Sequence, residues 1–166
     1  AHEGRLVMDH PYFVSARPAD AETVLNLNEA LFIEDGLTAF PLADRERAIE
    51  ALLQEPGRWG EIWLIQDGET VVGYTILTWG FTVELGGRFV LIDELYLRPS
   101  HRGRGWGSIT LDFIGDRALH HRCVAVQLEV EHPNPPARAV YERAAPRGSS
   151  ASRPWWASIA TRRTTW

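Results

Sequence analysis

Apolar residues recur at helical spacing in two segments near the start of the chain. In the first segment, Val24, Leu27 and Leu31 lie three and four residues apart, which is the period of one helix face. Gly36 is a typical helix stop, and Pro56 closes the second segment. The predicted elements are a strand over 12–17, a helix over 21–34 and a helix over 45–54.

The spacing of apolar residues then changes from helical to strand-like. Three β-rich segments follow one another, separated by the turn signals Asp67-Gly68 and Gly86-Gly87. Short turns join antiparallel neighbours, so these segments predict a meander. The predicted strands cover 59–66, 70–83 and 88–98, and the last is apolar on both faces, as a central strand is.

A helix and a regularly alternating strand are predicted after the meander. Helical spacing covers 105–121, and apolar and polar residues alternate over 123–131. A strand reached through a helix runs parallel to the strand before it. A short helix over 135–143 and one strand over 155–161 complete the predicted elements.

This order of elements predicts one α/β (α+β) domain with a mixed central sheet and helices on both faces. The 166 residues are enough for one domain with a core and too few for two ordinary domains. Residues 1–11 are expected to be an extension or a cloning remnant outside that domain. The tail, 144–166, lacks clean periodicity and is rich in Arg, Ser, Ala and Trp.

Composition narrows the class of protein. The net charge of −5 argues against general nucleic-acid binding, and no apolar run is long enough to span a membrane. Cys123 is the single cysteine, so no internal disulfide can form and a reducing cytoplasm is expected. The chain has no lysine, which excludes a lysine nucleophile, and its histidines lack the spacing of metal ligands.

The strongest chemical signal lies where the third strand of the meander ends. After Pro99 the chain alternates Arg and Gly, and a helix pattern begins near Gly105. A strand, a glycine-rich turn and a helix N-terminus form a phosphate site, because backbone N–H groups and the helix dipole both favour an anion. Arg102 and Arg104 could add charge-assisted hydrogen bonds. The spacing matches neither a Walker loop nor a dinucleotide fingerprint.

The stretch Ile92-Asp-Glu-Leu-Tyr-Leu-Arg-Pro-Ser-His-Arg-Gly-Arg-Gly-Trp-Gly107 resembles motif A of the GNAT family, the Gcn5-related N-acetyltransferases. Asn134, followed by Ala137-Arg-Ala-Val-Tyr141-Glu-Arg, resembles the family's next motif. The resemblance covers about 14–143 and implies an N-acetyltransferase domain over 12–166. It departs at Ala144, where the family continues into two closing strands, so the tail is either divergent or altered in reading frame.

The resemblance implies that acetyl-CoA binds where the motif A strand and the next strand splay apart. The diphosphate would lie on the amides from Arg102 to Ser108, and the pantetheine arm would pair with backbone near Leu95 and Leu97. Asn134 either bonds that arm or caps its helix. The implied cofactor-binding residues are Leu95, Tyr96, Leu97, Arg102, Gly103, Arg104, Gly105, Trp106, Gly107, Ser108, Asn134 and Tyr141.

Acetyl transfer to an amine also needs a base, because only a neutral amine attacks a thioester. Glu94 is the first candidate, since a carboxylate on a central strand is costly without a partner or a task. Asp93, Glu129 and a water relay are the alternatives. The resemblance assigns Tyr141 as the acid that protonates the leaving thiolate.

The sequence therefore predicts direct acetyl transfer in a ternary complex to a primary amine, on a small molecule or on a protein. Cys123 is expected to be a small buried hydrophobe, which disfavours an acyl-cysteine. The alternative is a non-catalytic module that binds acyl-CoA or a nucleotide. No nucleic acid or membrane partner is expected, and a homodimer is left open.

Overall fold

The structure, a computed structural model, describes residues 9–37, 39–131 and 156–162, with 129–131 and 156–162 as backbone. Two 3-10 turns, Pro18–Asp20 and Pro99–His101, connect longer elements. In chain order those elements are β1 (Tyr12–Ser15), α1 (Ala21–Glu34), α2 (Leu42–Gln54), β2 (Gly60–Asp67), β3 (Thr70–Thr82), β4 (Gly87–Leu97), α3 (Trp106–His120), β5 (Ala125–Glu131) and β6 (Trp156–Arg162).

The described strands form one mixed sheet in the order β1-β2-β3-β4-β5-β6. The pairs β1–β2, β2–β3 and β3–β4 are antiparallel, which confirms the meander predicted over β2, β3 and β4. Strand β5 is parallel to β4, as its position after a helix predicts, and β6 is parallel to β5. Among the described residues, no helix has the length and apolar character needed to cross a bilayer.

Helices cover both faces of the sheet, which confirms the predicted fold class. Side chains of α1 and α2, among them Val24, Leu27 and Ile49, pack against Tyr74 and Tyr96 on one face. On the other face, α3 packs against β3, β4 and β5. Each face therefore has its own apolar core, and the sheet lies between the two cores.

Three element ends differ from the predictions by two or more residues, each because of local hydrogen bonds. Helix α2 begins at Leu42 because the Pro41 carbonyl accepts from the N–H groups of Asp44 and Arg45. Strand β1 ends at Ser15 because the chain then enters the 3-10 turn Pro18–Asp20, where the Arg17 carbonyl accepts from the Asp20 N–H. Strand β5 starts at Ala125, since the Cys123 N–H donates instead to the Ala118 carbonyl in α3.

A β-bulge at Asp93 interrupts the alternation of side chains along β4, so that residues two apart across the bulge lie on opposite faces of the sheet. In the register with β3, Leu77 pairs with Ile92 and Ile76 pairs with Glu94, which leaves Asp93 as the extra residue. Ile92 therefore packs on the α3 face, whereas Glu94 lies on the face that α1 and α2 cover.

Strands β4 and β5 pair over only part of their length. Their parallel register covers Phe89 to Ile92 on β4 and Ala125 to Leu128 on β5. Strand β4 continues to Leu97 and β5 to Glu131, with no pairing between these ends within the described residues. The backbone of β4 after Ile92 is thus open on its β5 side, next to the bulge.

Candidate active site

Glu94 lies at the point where β4 separates from β5, and two buried side chains hold its carboxylate. Tyr74 Oη donates a hydrogen bond of 2.5 Å to Glu94 Oε2. Asn28 Nδ2 lies 3.0 Å from both Oε1 and Oε2. Tyr74 is 0% exposed and Asn28 is 1% exposed, so these donors are held in place by the core around them.

The surroundings of Glu94 favour the protonated form of its carboxyl group more than bulk water does. Burial raises the pKa of Glu94, and the charge of Asp93 acts in the same direction. Hydrogen bonds from Tyr74 and Asn28 and the charge of Arg45 oppose this, but the net direction is upward. Burial and the adjacent Glu94 also raise the pKa of Tyr74, so its hydroxyl keeps its proton and stays a donor.

A second layer of contacts connects Glu94 to α2. Arg45 Nη1 donates to Asn28 Oδ1, and Arg45 Nη2 donates to Glu29 Oε2 at 2.7 Å. The guanidinium carbon of Arg45 also lies 4.2 Å from the centre of the Phe32 ring. Two helices and two strands thus meet at one carboxylate.

The predicted phosphate loop has the backbone that such a site needs. Gly103 has φ +73° and Gly105 has φ +81°, in the left-handed region that favours glycine. A Cβ added at either position would meet no atom within 4 Å, so the space over the loop is open. Gly105 is the N-cap of α3 and has no side chain to bond the first N–H groups of that helix. Those N–H groups belong to Trp106, Gly107 and Ser108.

Both loop arginines are paired with carboxylates. The Arg102 guanidinium donates to both Glu34 oxygens, at 2.7 and 2.9 Å, and its Nε donates to the Leu97 carbonyl. Arg104 makes a similar two-point pair with Asp9, at 2.8 and 2.5 Å, which lowers the pKa of Asp9. A role for these side chains in phosphate binding therefore stays a prediction.

The predicted pantetheine strand lies between the two cores. Leu95 and Leu97 contact the α3 side, where Trp106 is 1% exposed. Tyr96, 6% exposed, packs on the opposite side with Tyr74. These side chains fix the end of β4 while its backbone faces the gap beside β5.

Several predicted site residues are not brought into this arrangement. Asn134, Tyr141 and the helix predicted over 135–143 lie outside the described residues. Glu129 is described only as backbone, paired with Ala160 of β6. Asp93 is exposed at the bulge, and it acts on Glu94 through its charge.

Sequence reasoning missed Asn28, Tyr74 and Arg45. One signal was present for Asn28, because it lies four residues after Val24, on the apolar stripe of α1. A polar side chain in such a stripe needs a buried partner. Arg45 had no comparable signal, since only the packing of α2 on α1 brings it to Asn28.

Comparisons with known proteins agree with this geometry. The family model for GNAT acetyltransferases matches residues 22–145, more than half of the chain. No curated protein matches the chain at a significant level. Among solved structures, an integron cassette protein from the mobile metagenome of Cole Harbour Salt Marsh is 30% identical with a TM-score of 0.68, and the match covers 86% of this chain and 91% of that chain.

Two further structures share the fold at lower identity. A ribosomal-protein-alanine N-acetyltransferase from Brucella melitensis biovar Abortus 2308 is 21% identical with a TM-score of 0.65, covering 92% of this chain and 99% of that chain. An aminoglycoside acetyltransferase from an uncultured soil metagenomic sample is 18% identical with a TM-score of 0.65, covering 84% and 93%. Because the family match extends from α1 through β5, the chain belongs to the GNAT family of acetyltransferases and takes acetyl-CoA as its acyl donor.

Proposed function

We propose that this acetyltransferase transfers the acetyl group directly to a primary amine, with Glu94 as the general base. The observation that carries the proposal is the position of the Glu94 carboxylate, at the bulge where β4 leaves β5. A base works best when its pKa lies near the working pH, and burial moves the pKa of Glu94 in that direction.

The two carboxylate oxygens of Glu94 have different hydrogen-bond partners. Oε2 accepts from both Tyr74 and Asn28, whereas Oε1 accepts from Asn28 alone among the described residues. A carboxylate oxygen has two lone pairs, so Oε1 keeps one for an ammonium proton, taken directly or through a water. We assign Oε1 as the basic atom.

The bonds exchanged follow from this assignment. Acetyl-CoA supplies an activated thioester. Glu94 removes a proton from the ammonium group, and the neutral nitrogen attacks the acetyl carbon as the C–S bond breaks. The second amine proton goes to solvent, or to Glu94 after Glu94 has released the first proton to solvent. The thiolate leaves as a thiol. We keep Tyr141 as the proposed donor of that thiol proton.

The chain's own residues supply the binding side of the proposal. The amides from Gly103 to Ser108 would hold the diphosphate, at the start of α3 where no side chain caps the helix. The Arg102 N–H donates to the Pro99 carbonyl, so Arg102 enters this proposal through its side chain. The backbone of Leu95, Tyr96 and Leu97 would pair with the pantetheine arm, because β5 does not pair with this part of β4 within the described residues. The Leu97 carbonyl already accepts from Arg102 Nε, which leaves the rest of this backbone for the arm. Asn134 is a further proposed contact for that arm.

Direct transfer is favoured over an acyl-cysteine intermediate. Burial raises the pKa of the Cys123 thiol, and Cys123 is 7% exposed. A reactive cysteine needs the thiolate, which such surroundings disfavour. A buried free thiol also suits a reducing compartment, so we propose that the protein works in the cytoplasm.

We propose a primary amine on a small molecule or on a protein as the acceptor. The structural relatives include an enzyme named for a ribosomal-protein alanine and one named for aminoglycosides, but both are below 25% identity. We propose no nucleic-acid or membrane partner. The proposed reaction needs residues of one chain only, so it applies equally to a monomer and to a homodimer.

A thiol-release assay with acetyl-CoA and a panel of amines tests the proposal. The panel should contain polyamines, amino sugars and peptides with a free N-terminus. Glu94→Gln should lower kcat by about a hundredfold or more and leave acetyl-CoA binding intact. Asp93→Asn and Glu129→Gln test the alternative bases, and exposed Glu84→Gln is the isosteric control. Unchanged turnover in Glu94→Gln would remove Glu94 as the base.

A further inference from the structure

The Asn28 side chain is the link between the proposed base and α2. An amide can present either its oxygen or its nitrogen to a neighbour, and the neighbours decide which. A guanidinium can only donate, so Asn28 Oδ1 must face Arg45. The Nδ2 group is then left to face Glu94, at 3.0 Å from both carboxylate oxygens.

Arg45 is itself held firmly. Its Nη2 donates to Glu29 Oε2 at 2.7 Å, and its guanidinium lies over the Phe32 ring. The Arg45 side chain is only 13% exposed, although α2 is otherwise mostly exposed. By contrast Arg47, on the same helix, is 69% exposed and pairs locally with Asp44.

We propose that Arg45 is a positioning residue for catalysis, which acts through Asn28 to orient the Glu94 carboxylate and keep it charged. The inference rests on the proposed role of Glu94 as the base. Arg45 contacts neither oxygen of Glu94 in the described structure, so its influence passes through the Asn28 amide and through its charge.

The charged and titratable groups around Glu94 show the direction of this influence. Tyr74 faces it from β3, Asp93 from β4, and Arg45 from α2 behind the neutral Asn28 of α1. Asp93 and burial favour protonation, whereas Arg45 favours the carboxylate. Loss of Arg45 removes a cation and frees the Asn28 amide to turn, and both changes raise the pKa of Glu94.

The test compares Arg45→Met with Arg47→Met in the full chain, by the pH dependence of kcat/KM for acetyl transfer. Arg45→Met keeps much of the length of the side chain but removes its charge and its donors. The acid limb of the Arg45→Met pH profile should move to higher pH. On that limb kcat/KM should be about threefold or more below the wild-type value, and on the plateau it should be closer to the wild-type value. Arg47→Met should follow wild type, and KM for acetyl-CoA should change in neither.

A direct titration separates this inference from the proposed function. Carbon-13 NMR of protein labelled at the glutamate carboxyl carbons reports Glu94, assigned by the signal that Glu94→Gln lacks. Arg45→Met should raise its midpoint, and Arg45→Lys should restore part of the difference. If Arg45→Met does not fold, Arg45→Lys by itself should still raise the Glu94 midpoint above the wild-type value, by less than full loss of the guanidinium would.

Two outcomes would overturn the inference. One is a folded Arg45 variant whose Glu94 midpoint and acid limb match wild type, and the other is an equal shift in Arg47→Met. If no amine supports thiol release but the midpoint moves as expected, the proposed function fails and the link from Arg45 to Glu94 stands.

Discussion

The partly buried carboxylate of Glu94 sets the character of the site at the scale of residues. Moving a charge into a protein interior costs several kcal/mol unless hydrogen bonds offset it. Tyr74 and Asn28 supply those bonds, and each hydrogen bond to a charged group contributes about 1.5–3 kcal/mol. The pKa of Glu94 still rises because burial outweighs the two donors, which leaves a carboxylate that is easier to protonate than an exposed glutamate.

Glu94→Gln should change how the free energy of unfolding depends on pH. The pKa of Glu94 is raised by burial above its ordinary value of 4.5, so the folded state binds more protons than the unfolded state just above that pH. The stability from this group is therefore complete below pH 4.5 and is lost as pH rises through the raised pKa. A tenfold difference in proton affinity between the folded and unfolded states corresponds to about 1.4 kcal/mol.

Urea denaturation from about pH 4 to pH 8 measures this dependence. The free energy of unfolding of the glutamine variant, minus that of wild type, should increase across the window and then level off. A difference that stays flat with pH would show that Glu94 titrates in the folded protein as it does in the unfolded chain.

Elements differ in how far their sequence alone determines them. The helix over 21–34 is predicted with both ends correct, because apolar periodicity and Gly36 act locally. The start of α2 at Leu42 and the start of β5 at Ala125 depend on which carbonyl accepts which N–H, and spacing does not show this. The loop before α3 is predictable because its glycines are required by backbone geometry.

Gly105→Ala should weaken acetyl-CoA binding as well as stability. At φ +81° an added Cβ costs about 1–2 kcal/mol, although nothing lies within 4 Å of it. Gly86→Ala is the matched control, since Gly86 has φ +76°, open space and a place in the β3–β4 turn.

Thermal or urea denaturation should show similar losses of stability in the two alanine variants. Calorimetry with acetyl-CoA should show a raised Kd in Gly105→Ala alone, because only that strain distorts the amides of the phosphate loop. Equal Kd values in the two variants would place the cofactor's diphosphate elsewhere.

The whole molecule brings together residues that no local pattern connects. Asn28 and Glu94 are 66 residues apart in the chain, and Asn28 and Tyr74 are 46 apart. Their meeting depends on the register of β3 with β4 and on the packing of α1 over both strands. The family, the sheet and the base candidate follow from the sequence, whereas the partners of the base follow only from this packing.

Carboxylates from distant parts of the chain also meet the arginines of the proposed phosphate loop. Glu34, at the end of α1, faces Arg102 and occupies the bidentate donors that a phosphate would use. Glu34→Gln should therefore lower the Kd for acetyl-CoA by a few-fold, or about 0.5–1 kcal/mol, since both partners are partly exposed.

Glu46→Gln changes the net charge by the same amount on exposed α2 and serves as the control. Isothermal titration at low and moderate salt would measure both variants, with the difference shrinking as salt increases. Weaker binding in Glu34→Gln than in Glu46→Gln would mean that Glu34 supports the shape of the loop instead of competing for it.

The extra residue at Asp93 has a consequence for how relatives of this chain are aligned and engineered. Ile92 and Glu94 are both even-numbered, yet they lie on opposite faces of the sheet. Deleting Asp93 would leave a regular ladder in which Leu77 still pairs with Ile92 and Ile76 with Glu94, so Glu94 would still face α1. For a relative without the bulge, an alignment gap placed at Glu94 instead of Asp93 would assign the role proposed for Glu94 to Asp93. In grafts or designed variants of β4, the pairing of Glu94 with Ile76 therefore has to be conserved, whereas the residue count from Ile92 does not.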